Sequence, residues 1–301
     1  MQVFYGIESL SAEWVGSVVC AGTFDGVHLG HREVIGRAVA LAHSQGLPCV
    51  LVTFDRNPAA ILAPAKLRPS IASTSANLGR IAEIGVDVAV VLHFDQELAN
   101  TTAEQFSDHY LSEKLQARYV VVGHDFTFGK DRRGTPQWLQ SRLKTEIIAP
   151  FLIKGQRVGS SHIRELIEEG DIKYANELLG WDFEIEGIVV SGQKLGRTIG
   201  FPTLNLARSF NQVTPADGVY EGVCAHRHGV HAAAVSIGIR PTVDELRTIE
   251  AYLIDYAGPE LYGESVSLRL SRRIRGPEKF DSVEELKIRI ASDVAQISRV
   301  K

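Results

Sequence analysis

The segment Ala21-Gly-Thr-Phe-Asp-Gly-Val-His-Leu-Gly-His31 gathers residue types that handle phosphate. It follows a short apolar run and leads into a stretch of helical spacing, so a strand, a loop and a helix are expected in that order. Gly22 and Gly26, on either side of Phe24 and Asp25, let the backbone turn and approach a ligand closely. A helix N-terminus offers unpaired N–H groups and the positive end of a dipole. His28 and His31 are three apart and share a helical face, with Gly30 leaving space between them. Two imidazoles beside a polyphosphate can donate hydrogen bonds to oxygens that gain charge as pyrophosphate departs. A lone His-x-x-His would read as a turn with two incidental histidines; the whole string in its context argues against that. Metal binding by the pair lacks a third ligand at suitable spacing.

Three further stretches carry chemistry. Ser160-Ser161-His-Ile-Arg164 opens a helix, where hydroxyls and N–H groups can bind phosphates beside the Arg164 cation, although Ser160 and Ser161 alone would be plain caps. In Gly192 to Asn205, Gly192, Gly196 and Gly200 frame Lys194 and Arg197, a pattern that suits a mobile cationic loop over a polyphosphate. Pro202-Thr203-Leu204-Asn205 then reads as a polar turn whose hydroxyl and amide oxygen suit Mg²⁺. In the strand Ile249–Asp255, Glu250 and Tyr252 share one face and Ile249, Ala251 and Leu253 the other. A carboxylate inside a small barrel is costly unless used, so Glu250 is a candidate base toward a hydroxyl; an exposed strand glutamate is the bland alternative.

The elements that must position these residues fall into two groups. Val18–Ala21, Cys49–Phe54, Val86–Leu92 and Tyr119–Val122 read as buried strands alternating with helices, among them one over Thr102–Leu115. That alternation predicts an α/β domain: a Rossmann-like parallel sheet with helices on both faces and ligands at the carboxyl ends of its strands. Phe54-Asp-Arg-Asn-Pro58 and Gly123-His-Asp-Phe-Thr-Phe-Gly129 end two of those strands, where Phe126 and Phe128 could flank an aromatic ring or belong to the core. After Gly180 the pattern shifts to Glu184–Val190, Gly218–Ala225, His231–Ile237, Thr248–Asp255 and Glu264–Leu270, short strands that predict a small antiparallel β-barrel. A terminal helix follows, with a Ser282-Val-Glu-Glu285 capping box and an apolar stripe of Val283, Leu286, Ile290, Val294 and Ile297. The boundary falls at Trp181–Asp182, giving domains 1–181 and 182–301.

The 301 residues carry a net charge of −4 spread over both halves, so neither half reads as a basic nucleic-acid module. Cys20, Cys49 and Cys224 form no Cys-x-x-Cys pair and read as small buried hydrophobes in a reducing compartment. No signal-peptide pattern and no apolar run of about 18 residues is present, so a cytoplasmic protein without membrane contact is expected.

The 21–31 string resembles the His-x-Gly-His signature of adenylyl- and cytidylyltransferases. The order of motifs along nearly the whole chain resembles the bacterial bifunctional riboflavin kinase/FMN adenylyltransferase family. It runs through Ser-Ser-x-Ile-Arg and Gly-Phe-Pro-Thr-x-Asn to Pro215–Tyr220, Ser236–Thr242, Glu250, Leu261–Gly263 and Glu278–Phe280. The resemblance implies two reactions: riboflavin to FMN with MgATP in the barrel, and FMN to FAD with release of pyrophosphate in the first domain. It implies that His28, His31, Ser160, Ser161 and Arg164 grip ATP, and that Asn57, Asp125, Phe126 and Phe128 lie by the flavin. It also implies that Thr203 and Asn205 hold Mg-nucleotide and that Glu250 is the base. Small molecules are then the partners, and the sequence sets no oligomeric state. Asn57 departs from the family's usual Pro-His-Pro, and a chain that keeps only the kinase reaction is the narrower alternative.

Overall fold

A computed structural model describes residues 1–10, 14–192, 195–239 and 247–297. The chain divides into two compact units, Met1–Ser160 and Ser161–Lys301.

The first unit is a six-stranded parallel sheet. Its strands are β1 (Gln2–Tyr5), β2 (Ser17–Ala21), β3 (Cys49–Phe54), β4 (Val88–Leu92), β5 (Ala117–Gly123) and β6 (Thr145–Ile148), in the order β1-β4-β3-β2-β5-β6. The residues of β2 and β4 are buried on both faces, which explains their unbroken apolar character. One face packs on α1 (Leu29–Gln45) and α3 (Thr74–Ile84), where Ile35, Ala38, Val39 and Ala42 meet Val18, Cys20, Leu51 and Val121. The other packs on Phe106, Leu111, Leu115 and Leu139. The remaining helices are short: α2 (Ala59–Leu62), α4 (Gln96–Asn100), α5 (Ala103–Gln105) and α6 (Pro136–Gln140). The helix expected over Thr102–Leu115 starts at a Thr102–Gln105 capping box but runs as a π-helix over Phe106–Lys114. A two-residue hairpin, β7 (Leu152–Ile153) and β8 (Gln156–Arg157), ends the unit. Strand order reverses between β2 and β5, so the ligand crevice of such a sheet lies at their carboxyl ends.

The second unit opens within α7 (Ser160–Glu169), at Ser161, and continues with α8 (Ile172–Leu179), closed by Gly180 at φ 76°. Six antiparallel strands follow: β9 (Glu184–Val190), β10 (Thr203–Arg208), β11 (Gly218–His226), β12 (Gly229–Ile239), β13 (Arg247–Leu253) and β14 (Ser265–Arg275). They close a barrel in the order β10-β13-β12-β11-β14-β9. Closure satisfies every strand edge within the unit. Val235, Ile249, Ala251, Leu268 and Leu270 are fully buried, and the Tyr220 hydroxyl donates to the Ala216 carbonyl at 2.6 Å. A helical turn, α9 (Leu195–Thr198), precedes β10, and α10 (Val283–Ala295) ends the described chain.

The α10 stripe differs from expectation. Val283 is exposed, Leu286 and Ile290 are half-buried, and the far end, Val294 and Ile297, packs on Ala232, Ala234 and Ile254. The anchor is ionic instead: Asp293, 3% exposed, bonds Arg275 Nε at 2.9 Å. The capping box is also displaced by one residue, because Ser282 accepts from Glu285 N–H while the Glu285 carboxylate accepts from Asp281 N–H. All three cysteines are free and buried, and burial pushes the Cys49 and Cys224 thiols up to about 12.

Removing one partner of a buried ion pair leaves the other uncompensated. Asp293→Ala is therefore expected to lower unfolding stability by about 3 kcal/mol, measured by denaturant titration. A pH effect follows from the β11–β12 hairpin. Burial, and then the charges of His231 and His228, hold the His226 imidazole below its ordinary value. The unfolded chain binds that proton near pH 6.5 while the folded chain resists it, so stability is lost as pH falls below about 6.5. Thermal melts should show the wild type losing more on acidification than His226→Gln.

Candidate functional sites

In the first unit, β2 delivers the chain into a strained loop. Phe24, Val27 and Gly26 take φ of 47°, 38° and 82°. A β-branched valine at positive φ is costly and persists only where packing enforces it. Phe24 and Val27 are buried, and a Cβ on Gly22 would lie 2.9 Å from the Phe24 ring. The loop is tied to its neighbours through main-chain groups. The Asp25 carboxylate accepts from the N–H groups of Ile71 and Ala72, and Gly26 N–H donates to Asn77 Oδ1 at 3.1 Å. The Ser160 hydroxyl donates to the Asp25 carbonyl at 3.0 Å. Asp25 and Ser160 thus shape the loop directly.

His28 is the N-cap of α1, only 4% exposed, and its Nδ1 accepts the His31 N–H at 3.2 Å. An accepting Nδ1 places the proton of the neutral ring on Nε2. The His28 and His31 rings stack with centroids 3.6 Å apart, and Phe24 meets His31 edge-on at 5.3 Å. A Cβ on Gly30 would lie 3.3 Å from the His28 ring and 3.5 Å from the Val158 carbonyl. The sequence-predicted loop residues are therefore brought together at the N-terminus of a 17-residue helix.

The flavin candidates separate. Phe128 is core, packed against Phe106 and Trp138, whereas half-buried Phe126 stacks on Phe128 at 5.4 Å and keeps some open surface. Asp125, after β5, pairs with Arg157. Asn57 Oδ1 accepts the Ala59 N–H at 2.9 Å and so caps α2. Sequence reasoning missed the group beside it. Asp55, ending β3, holds His93 Nδ1 at 2.6 Å, the Phe94 N–H and Arg56. Burial alone would raise this carboxyl, but the Phe94 N–H, His93 and Arg56 outweigh it and hold it below its ordinary value. A lone histidine just past β4 gave no spacing signal. Ser161 and Arg164 lie on α7 of the second unit, with Arg164 buried.

In the second unit the expected polar turn at 202–205 is instead the start of β10, and the expected loop contains α9. Phe201 N–H donates to the Gly196 carbonyl at 2.8 Å, folding the segment into a tight turn. A Cβ on Gly196 would meet the Phe201 carbonyl at 2.3 Å and Thr203 Oγ1 at 3.3 Å; one on Gly192 would meet the Asn205 amide. Both glycines thus lie against the candidate metal ligands. Lys194, and Arg240 to Thr242 of the Ser236–Thr242 motif, fall outside the described residues. Arg197 pairs with Glu260 at 2.7 Å, and Gly200 takes φ 88° ahead of Pro202.

Glu250 is not inside the barrel. The pleat turns Ile249, Ala251 and Leu253 inward and leaves Glu250 and Tyr252 half-buried on the outer face. Register pairs Asn205 and Ser236 with Glu250, and Thr203 with Tyr252. Thr203 Oγ1 donates to Glu250 Oε2 at 3.1 Å. A hydroxyl, an amide and a carboxylate in one cross-strand patch form a hard-oxygen set that fits Mg²⁺, an ion that keeps few protein ligands and takes the rest from phosphates and water.

Comparison with known proteins finds two family models along the chain. A family model described as FAD synthetase matches residues 10–162, and one described as riboflavin kinase matches 179–301. Proteins named bifunctional riboflavin kinase/FMN adenylyltransferase are similar over nearly their whole length. That of Bacillus subtilis is 34% identical over 96% of this chain and 94% of its own. That of Escherichia coli K12 is 35% identical over 97% and 96%. A solved structure from Streptococcus pneumoniae, described as a macrolide-efflux protein, superposes with a TM-score of 0.90 at 31% identity, covering 98% of each chain.

The glycine contacts give a prediction. A methyl at Gly196 collides with backbone, so Gly196→Ala is expected to displace the turn beside Thr203. Binding of MgADP to the full chain, measured by calorimetry, should weaken about tenfold or more, the scale of losing one charge-assisted contact. Gly36→Ala, at a position with nothing within 4 Å, should leave it unchanged.

Proposed function

The chain belongs to the bifunctional riboflavin kinase/FMN adenylyltransferase family, and from that premise we propose which residues carry its two reactions. It is a transferase that phosphorylates riboflavin to FMN with ATP and adenylylates FMN to FAD. The observation that supports the residue assignment is that the stacked histidines of the 21–31 loop and the Thr203–Glu250 pair lie in two different compact units. The match over 10–162 and the full-length relatives favour two reactions over the kinase-only alternative. The efflux role ascribed to the Streptococcus pneumoniae protein stays with that protein.

In adenylyl transfer a phosphate oxygen of FMN attacks the α-phosphorus of ATP, the bond to the bridging oxygen breaks, and pyrophosphate leaves. We assign His28 and His31 to the phosphates: the neutral His28 ring carries its proton on Nε2, and the α1 N-terminus adds positive potential. Gly22, Gly26 and Gly30 keep the approach open, and Phe24, Asp25 and Ser160 hold the loop. Ser161 and Arg164 are assigned to phosphate binding on their sequence motif alone. Phe126, with Asn57 and Asp125 at the carboxyl ends of β3 and β5, is assigned to the flavin; Phe128 backs Phe126.

In the kinase reaction the terminal ribityl hydroxyl attacks the γ-phosphorus and ADP leaves. Glu250, oriented by the Thr203 hydroxyl, takes the hydroxyl proton. Thr203 and Asn205 would hold Mg²⁺, which supplies charge neutralisation at the phosphates. Gly192, Gly196, Gly200 and Pro202 set the turn beside them, and Lys194 and Arg197 are assigned to the phosphates. We place the functional boundary at Trp181–Asp182, between the αL cap of α8 and the start of β9, and the protein in the cytoplasm with small molecules as its partners.

Separate sites demand separable losses. His31→Ala is expected to cut FAD formation from FMN by about a hundredfold or more, the scale of losing a transition-state donor, while FMN formation continues. Glu250→Ala should do the reverse when FMN is supplied. Chromatographic quantification of both flavins tests this, and loss of both activities in either folded variant would contradict it.

A further inference from the structure

The edge of the first unit's sheet opposite the histidine loop carries a cavity that neither reaction uses. It has a volume of about 380 Å³ and is lined by Gln45 and Leu47 past the end of α1, Arg118 and Tyr119 of β5, and Arg142, Leu143 and Lys144 before β6. The 17 residues of α1 span about 25 Å between the His28 cap and this end. A ligand here would leave the loop accessible.

Three cations converge on the cavity. The side chains of Arg118 and Lys144 make no ion pair or hydrogen bond among the described residues, and Arg142 has a carboxylate, Asp108, only at 3.7 Å. All three are exposed and screened by water in the free chain, and in a chain of net charge −4 they make a local positive patch that an anion can meet. The Ala42 and His43 carbonyls at the end of α1 are already met by the Gly46 and Leu47 N–H groups, so these two do not call for a cation. The side chains are nonetheless placed. The Arg142 guanidinium lies 4.3 Å over the Trp138 ring, and Lys144 lies 5.3 Å from the Tyr119 ring centroid. The Tyr119 hydroxyl donates to Gln45 at 3.0 Å, and Arg118 runs along Gly16, where even a Cβ would strike it. Leu47, Leu143 and the Tyr119 ring supply apolar surface between the charges.

We propose that this cavity binds a small phosphorylated aromatic molecule, a nucleotide or a flavin phosphate. The phosphate would meet Arg118, Lys144 and Arg142, and the ring would lie on Leu47, Tyr119 and Leu143. Ligand pockets run from about 300 to 1,000 Å³, so the volume suits one ring system with its phosphate. The net negative charge of the chain disfavours an extended polyanion. The compounds of the chain's own chemistry belong to this class, so occupancy would report their level from a place away from both reactions.

Equilibrium dialysis of the full chain against FMN and, separately, ADP counts bound ligand per chain. The Arg118→Glu/Lys144→Glu variant should bind one equivalent fewer of at least one ligand, with rates of FMN and FAD formation at low ligand unchanged. Loss with ADP alone assigns the cavity to nucleotides, loss with FMN alone to flavin phosphates, and loss with both to the shared chemistry. Should the double variant misfold, Lys144→Gln serves, with the extra site weakened about tenfold. Unchanged stoichiometry and affinity for both ligands in folded variants would overturn the proposal.

Discussion

The hydrogen bond from the His31 N–H to Nδ1 of His28 is the point on which the first unit turns. It starts α1, fixes the His28 tautomer and stacks the second imidazole on the first. Everything around it holds that geometry. The parallel sheet brings β2 to the place where strand order reverses. Buried Phe24 and Val27 stabilise backbone angles that L-residues avoid, and Asp25 joins the loop to residues 71–72. A helix N-terminus at the carboxyl edge of a parallel sheet is the setting in which phosphate groups are bound.

The barrel solves a different problem with the same economy of backbone. A closed antiparallel sheet offers only two faces, and its interior is filled with apolar side chains. The polar residues proposed for its chemistry accordingly stand on the outer face. Strand register places Thr203, Asn205 and Glu250 on one outer patch, and the glycine turn covers it at distances that exclude a Cβ. The buried Arg275–Asp293 pair holds α10, whose far end packs beside Tyr252 on that outer face, and Glu250 stays half-buried.

Much of this was legible in the sequence, and the exceptions have physical causes. The strands β2, β3, β4 and β5 announce themselves because burial on both faces leaves little but apolar residues. The strands β1 and β6 lie at sheet edges with mostly exposed or half-buried side chains, and so carry no such run. The strand β10 was hidden because its outward residues, Thr203 and Asn205, are polar and follow a proline. The two-residue period separated Glu250 from Ile249, Ala251 and Leu253 correctly, but a carboxylate inside the barrel would have contradicted the apolar character of the other face. The histidine loop was legible because glycines and histidines at fixed spacing are informative by themselves. Asp55 with His93 was not, since the two meet only through the pairing of β3 with β4. The core role of Phe128 and the capping role of Asn57 likewise depend on neighbours distant in the chain or on a turn that spacing does not reveal.

The central claim is that one chain performs two successive transfers at two sites. A chromatographic time course of the full chain with riboflavin, ATP and Mg²⁺, quantifying FMN and FAD separately, tests it most directly. The account predicts that FMN appears first and FAD follows from it. FMN that accumulates without FAD, even with FMN supplied in excess, would contradict the account and leave the stacked histidines without a reaction.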